Sequence, residues 1–254
     1  QKKRDIRVII GNPPYSAKQK SAKDDNQNIK YPNLDENIRR NFSVTSSAVL
    51  KQDLYDSYIR SFFWASERIK EEGVIGFVTN SGWIDREFAS GMRKYFSNKF
   101  NEIYILNLRG DIRKNILSKG SAKEGENIFG QGSMTGICIT LLVRNKNAKK
   151  NQIRYFDIGD NLSKIGKQKK LRNFESIKYL EDNNLFLDIK PNENNEWINK
   201  GNPKFIKFDS LRKDIFNYFG PGIATNRDAW LINFNKKTIK KNVEKLINNY
   251  DFLL

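Results

Sequence analysis

The stretch Asp5-Ile6-Arg7-Val8-Ile9-Ile10-Gly11-Asn12-Pro13-Pro14-Tyr15 decides the architecture. Its β-branched centre, Val8 to Ile10, suits a short buried strand that Gly-Asn-Pro-Pro stops abruptly. Proline fixes φ and has no N–H for a ladder, so the strand ends before Pro13. A second apolar run, Val74–Thr79, ends in a similar polar turn, Asn80-Ser81-Gly82. Glu102–Leu108 and Gly136–Val143 read as the third and fourth strands. Between the first two strands, Leu54, Tyr58, Phe62, Ala65 and Ile69 recur at helical spacing, with Asp53 the expected N-cap and Gly73 the expected C′ residue. Phe88–Phe96 reads as a shorter helix. Apolar strands alternating with helices indicate an α/β sheet covered on both faces. Only a Gly-rich stretch, Arg109–Thr135, separates the last two strands, so they are expected to form an antiparallel hairpin at the sheet edge. Ser16–Gln52 is polar, lacks apolar periodicity and reads as a long loop.

The chain has 254 residues, enough for one large domain or two modest ones. Hydrophobic residues make up 38% of it, which supports a packed core and excludes wholesale disorder. There is no histidine and one cysteine, Cys138. That excludes Ser-His-Asp and Cys-His nucleophilic catalysis, His-ligated metal and a disulfide framework, so no metal site is expected. Few cysteines and no long apolar run imply a reducing, cytoplasmic compartment and no membrane span. The net charge is +17, and it is unevenly spread. Residues 144–178 carry 11 bases against 3 acids, a block that composition bias alone would not concentrate. A polyanion such as nucleic acid is the expected partner. A basic linker begins near residue 146, which sets an expected boundary at 148/149: residues 1–148 as one domain and 149–254 as a smaller, mixed, basic segment.

The chemistry sits in Asn12-Pro13-Pro14-Tyr15. In open α/β sheets, sites lie at the carboxyl ends of strands, where this tetrapeptide falls. An exocyclic amine on a base is a poor nucleophile because its lone pair is delocalised into the ring. An Asn side-chain oxygen and a neighbouring backbone carbonyl can accept both amine hydrogens, leaving the nitrogen more pyramidal and its lone pair free for in-line attack on a methyl group. No tuned general base is needed, which suits a chain without histidine. Proline holds the Pro13 carbonyl in a fixed direction, and Tyr15 offers a flat face for an extruded base. The bland alternative is a strand-terminating turn, since Asn-Pro and Pro-Pro are ordinary turn signals.

The sequence GNPPY after a strand resembles the catalytic motif of amino-group methyltransferases that use S-adenosylmethionine. With DLYDSYIRSFFWASERIKEEGVIGFVTNSGWI (Asp53–Ile84) and GPGIATNRDAWLINF (Gly220–Phe234), the chain is similar to the N6-adenine DNA methyltransferase part of bacterial single-polypeptide restriction-modification enzymes. The resemblance implies the C-terminal half of a Rossmann-like methyltransferase sheet ending in an antiparallel hairpin. It implies catalytic roles for Asn12, Pro13, Pro14 and Tyr15, and stacking of the target base on Tyr15 and Phe129. It also implies double-stranded DNA as a partner, together with nuclease and helicase-like translocase regions of a parent polypeptide. The family's Gly-containing cofactor motif does not precede Asn12. The expectation is therefore a piece of a longer polypeptide with an incomplete cofactor pocket, inactive alone, whose cofactor-binding residues are unknown.

Further DNA contacts are expected from Lys18, Lys20, Lys23, Arg39 and Arg40 after the motif, and from Asn226 and Arg227, an amide and a fork donor suited to base edges. Two alternatives stay open: amino-group methylation of RNA or of protein glutamine, and a non-catalytic DNA-recognition module. Cytosine N4 is also open as the target amine.

Overall fold

A computed structural model describes residues 5–14, 31–44, 46, 52–130, 134–148, 151–198, 208–209, 215 and 228–253. In chain order, strand β1 is Val8–Gly11, helix α1 Pro32–Ile38, and a π-helical turn follows at Arg39–Ser43. A 3-10 turn, Gln52–Tyr55, leads into α2, Ser57–Arg68, and then β2, Gly73–Asn80. Next come α3 (Gly82–Asp85), a 3-10 turn (Glu87–Ala89), α4 (Ser90–Lys99), β3 (Glu102–Asn107), α5 (Ile112–Leu117) and β4 (Ile137–Arg144). After these lie β5 (Gln152–Asp157), α6 (Lys164–Arg172), α7 (Ile177–Asp182) and β6 (Leu187–Asp188), and finally α8 (Asp228–Leu231) and α9 (Lys236–Leu253).

The six strands form one mixed sheet in the order β1-β2-β4-β3-β5-β6. β1 runs parallel to β2, in register from Val8 with Val74 to Gly11 with Phe77. β4 is antiparallel to both neighbours, with Asn80 opposite Ile137 on one side and Asn107 opposite Cys138 on the other. The expected antiparallel pairing of the third and fourth strands is present, but it is not at an edge. β4 inserts between β2 and β3, and β3 goes on to pair with β5 in parallel.

Side chains alternate across the sheet. Ile75, Phe77, Ile103, Ile105, Cys138, Leu142, Ile153 and Tyr155 enter one core with Tyr58, Ile59, Phe62 and Phe63 of α2 and Met92 and Phe96 of α4. Leu106, Ile137 and Phe156 enter a second core on the other face, with Leu180 of α7, and Leu171 of α6 packs against it. Both faces are covered over β2, β3 and β4, as nearly continuous apolar strands require. On the edge strand β1, however, Val8 and Ile10 are 59% and 82% exposed, so the burial expected of that strand is absent on one face.

Several local expectations change for physical reasons. Residues 32–43 are helical because Leu34, Ile38 and Phe42, spaced by four, form one apolar face; Ile38 and Phe42 are wholly buried. The Phe42 ring meets those of Phe63, Tyr95 and Phe96 edge-on at 5.3, 5.2 and 6.1 Å. The N-cap of α2 is Asp56 rather than Asp53, and α2 ends at Arg68, with Ile69 as its C-cap. Gly73 opens β2 at φ 152°, where a Cβ would stand 2.5 Å from the Arg7 carbonyl oxygen. It serves close strand approach instead of capping a helix. The expected helix at Phe88–Phe96 begins properly at Ser90 and runs to Lys99.

The sheet does not stop at residue 148. The chain divides into two compact units, Gln1–Lys200 and Gly201–Leu254, so β5, the basic helix α6 and α7 complete the first unit. In the second unit, the Lys245 ammonium of α9 lies 5.8 Å from the Trp230 ring centre. Among the described residues, no helix is long and apolar enough to cross a membrane.

Candidate active site at the sheet rim

β1 breaks where its sequence loses ladder donors, and Asn12-Pro13-Pro14 follow at the carboxyl end of the strand. Pro13 is buried, whereas Asn12 and Pro14 are exposed. The beginning of β4 lies at the same end of the sheet, because β4 is antiparallel to β2. There the Ser81 amide donates to the Gly136 carbonyl at 2.8 Å, and the Gly82 amide donates to Asn80 Oδ1 at 2.7 Å.

Beside them, β3 ends in a dense polar cluster. Asn107 Nδ2 donates to the Tyr155 hydroxyl at 2.8 Å, and that hydroxyl donates to Asp157 at 3.1 Å. Burial raises the Tyr155 pKa above its usual value, so the phenol stays a donor. Arg109, at φ 53°, binds Asp157 at 2.7 Å and Asp160 at 2.8 Å. Cys138 is buried with its thiol pushed up by burial, the environment of an inert packing residue.

Between β3 and β4 the chain makes a long excursion, held from within. Asn127, 3% exposed, donates through Nδ2 to the Gly110 and Thr135 carbonyls at 3.3 and 2.7 Å, and its Oδ1 accepts the Phe129 amide at 2.9 Å. The Lys167 side chain, from α6, is fully buried. Its ammonium donates to the carbonyls of Leu108, Glu124 and Glu126 at 2.7, 3.0 and 2.7 Å. Burial pulls its pKa down to about 8, against the partial support of nearby Glu124. Phe129 itself remains 49% exposed.

The structure thus puts Asn12, Pro13 and Pro14 at the rim and leaves Phe129 exposed on the connection that returns to the same rim. Arg39 and Arg40 are exposed, but both bind Glu36, at 2.7 and 2.8 Å, and hold its carboxyl down at about 2. Tyr15, Lys18, Lys20, Lys23, Asn226 and Arg227 lie outside the described residues. Sequence reasoning missed Lys167, Asn127 and Arg109. Lys167 carries no signal, being one lysine among several in a basic helix, and Asn127 is one asparagine among many. Among the described residues, no cluster of His, Cys, Asp and Glu could hold a metal ion.

Comparison with known proteins fits this geometry. Residues 1–112 match the family model of the Eco57I restriction-modification methylase, and residues 214–253 match that of the type ISP C-terminal specificity domain. No curated protein matches the chain. Among solved structures, the ATP-dependent type ISP restriction-modification enzyme LlaBIII bound to DNA is 39% identical, with a TM-score of 0.87 over 100% of this chain. A nuclease-deletion mutant of the type ISP enzyme LlaGI, in complex with a DNA substrate mimic, is 40% identical, with a TM-score of 0.84 over 99%. A DrdV–DNA complex is 30% identical, with a TM-score of 0.78 over 98%. The chain spans 17%, 24% and 25% of those three chains. The chain is thus similar to the Eco57I restriction-modification methylases over residues 1–112, and to the type ISP C-terminal specificity domains over residues 214–253.

Proposed function

We propose that this chain forms the target-base side of a DNA adenine-N6 methyltransferase within a restriction-modification enzyme, followed by the start of its specificity region. The observation that carries the reading is Asn12-Pro13-Pro14 at the carboxyl end of a parallel strand, with Asn12 exposed and Pro13 buried. Its relatives, solved with DNA, support duplex DNA as the partner. Nuclease and translocase regions belong to the same proposal.

The methyl donor would be S-adenosylmethionine, which supplies an electrophilic methyl group. Gly136, just before β4, is packed too closely to leave room for it: a Cβ there would already lie 2.4 Å from Ser81 Oγ. The chain's own contribution is to the acceptor. Asn12 Oδ1 and the Pro13 carbonyl accept the two amine hydrogens and orient the nitrogen lone pair. Pro13 and Pro14 keep the turn from relaxing, and Tyr15 stacks on the extruded base.

The test is Asn12→Ala in a polypeptide that joins this chain to a donor-binding half, assayed by transfer of a tritiated methyl group to DNA. Losing one acceptor for the developing charge should slow transfer by about 3 kcal/mol, near a hundredfold, with DNA binding kept. Mass spectrometry of the digested product identifies the methylated base; N4-methylcytosine would overturn the adenine assignment. Transfer within a few-fold of wild type would overturn the role of Asn12.

A further inference from the structure

We propose that Lys167 and Asn127 are positioning residues that hold residues 108–130 of the β3–β4 connection in one conformation, so that the Phe129 ring stands ready for the extruded base. The proposal rests on the base-methylation reading above and adds to it the device that aims the ring.

An exposed aromatic on a long loop stacks poorly if the loop must first be ordered, because ordering each residue costs about 1–2 kcal/mol. Here that cost is met on folding. The Lys167 ammonium has three donors and spends them on three carbonyls, one at the end of β3 and two just before Asn127. An ammonium fits such a triangle of oxygens; a methyl-capped chain of the same length would take this donor from the Leu108 and Glu126 carbonyls and leave the Glu124 carbonyl with the Gly110 amide at 3.1 Å. Asn127 then ties the next turn. Its amide grips Gly110 and Thr135 across the base of the connection, and its oxygen fixes the Phe129 amide. The Glu126 amide donates to the Leu162 carbonyl at 3.0 Å and the Gly130 amide to the Asn127 carbonyl at 2.9 Å, which locks the residues on either side. Two side chains, one from a helix beyond the fourth strand, thereby fix the backbone at Phe129 while its ring stays exposed.

Hydrogen–deuterium exchange on the chain tests the bracing. In Lys167→Met and Asn127→Ala, the amides of Gly110, Phe129 and Gly130 should exchange at least about tenfold faster, with those of Ile75 to Val78 in β2 within about twofold of wild type. Asn127→Asp keeps the acceptor for Phe129 and should retain the protection of that amide. Unchanged exchange in the connection, or equal acceleration in β2, would overturn the proposal. The second arm measures extrusion by brightening of 2-aminopurine at the mapped methylation site, using the joined polypeptide described above. Lys167→Met, Phe129→Ala and the double variant should all lose the same factor, because Lys167 acts through Phe129. Losses that multiply would overturn it. A silent Phe129→Ala would sink the stacking reading, and the functional half of the proposal with it, while the exchange arm would still report the bracing.

Discussion

The turn after β1 and the connection after β3 reach the same rim by opposite means. Asn12-Pro13-Pro14 is conspicuous in sequence, and its shape comes from residue type: two prolines stop a ladder and set the chain direction. The stretch from Leu108 to Gly130 is inconspicuous in sequence, and its shape comes from partners: Arg109, Asn127 and Lys167 donate their polar hydrogens to carbonyls and carboxylates. Local covalent constraint can be read from a few letters. Long-range hydrogen bonding cannot, because Lys167 lies 59 positions from its partner at Leu108. The two regions should therefore fail differently when altered, the first in chemistry and the second in stability.

The largest stability effect is expected from Gly110→Ala. Gly110 has φ 89°, and an added Cβ would stand 2.8 Å from the Asn127 Cα, a backbone atom that cannot swing away. Strain and clash together should cost about 3 kcal/mol, measured as a lower midpoint in urea unfolding with an unchanged slope. A change under about 1 kcal/mol would show that the connection yields easily and is not built as a brace.

The pH response of Lys167 sharpens the same contrast. The folded pKa is about 8 and the ordinary value 10.5, so between these the unfolded chain binds more protons than the folded one. Stability contributed at this site therefore rises with pH across that window, by at most about 1.4 kcal/mol per pH unit. Cys138 acts in the opposite direction near its own titration, because its folded thiol resists ionising. The quantity to measure is thus the difference between wild type and Lys167→Met, in which the cysteine cancels. That difference should grow from pH 8 towards 10; a flat or falling difference would remove the buried ammonium from the account. A smaller loss, about 1 kcal/mol, is expected from Tyr155→Phe, which takes the acceptor from Asn107 Nδ2 and the tyrosine donor from Asp157 Oδ2, while Asp157 Oδ1 keeps Arg109 and the Gly159 amide.

How much was legible follows the same division. The second to fourth strands were readable nearly to the residue, and β1 at its carboxyl end, because apolar runs ended by Gly, Pro or Asn have few other uses. The expected pairing of the last two strands was right, but its place in the sheet was not: a strand's own residues do not say which neighbours it takes, and β3 pairs on its other side with β5. The helical stretch at 32–43 was hidden because Leu34, Ile38 and Phe42 are single apolar residues among polar ones. The basic block at 144–178 suggests a polyanionic partner by its net charge alone. Lys167 is buried, Lys170 donates to the Ile158 carbonyl at 2.7 Å, and Arg154 binds Glu181, so several of its charges are structural. Net charge counts such residues; only three-dimensional placement separates them from those open to a phosphate.

The smallest effect is the one that tests the comparison most directly, the stability of Asn12→Ala. β1 leaves its ladder with β2 at Gly11, opposite Phe77, and Asn12 beyond it is exposed. If the residue is there for chemistry, its side chain holds little of the fold, and removal should change unfolding stability by less than about 0.5 kcal/mol, the range of ordinary surface substitutions. If Asn12 is merely an Asn-Pro turn former, the outcome reverses: its side chain would bond the local backbone, and Ala would cost about 1 kcal/mol or more while leaving methyl transfer nearly intact. Urea unfolding of the variant and the tritium transfer assay, read side by side, give a two-way result. A stable, inactive protein confirms the division between a turn made for chemistry and a connection made for support. An unstable, active one would place both regions in the same structural class and end the contrast between them.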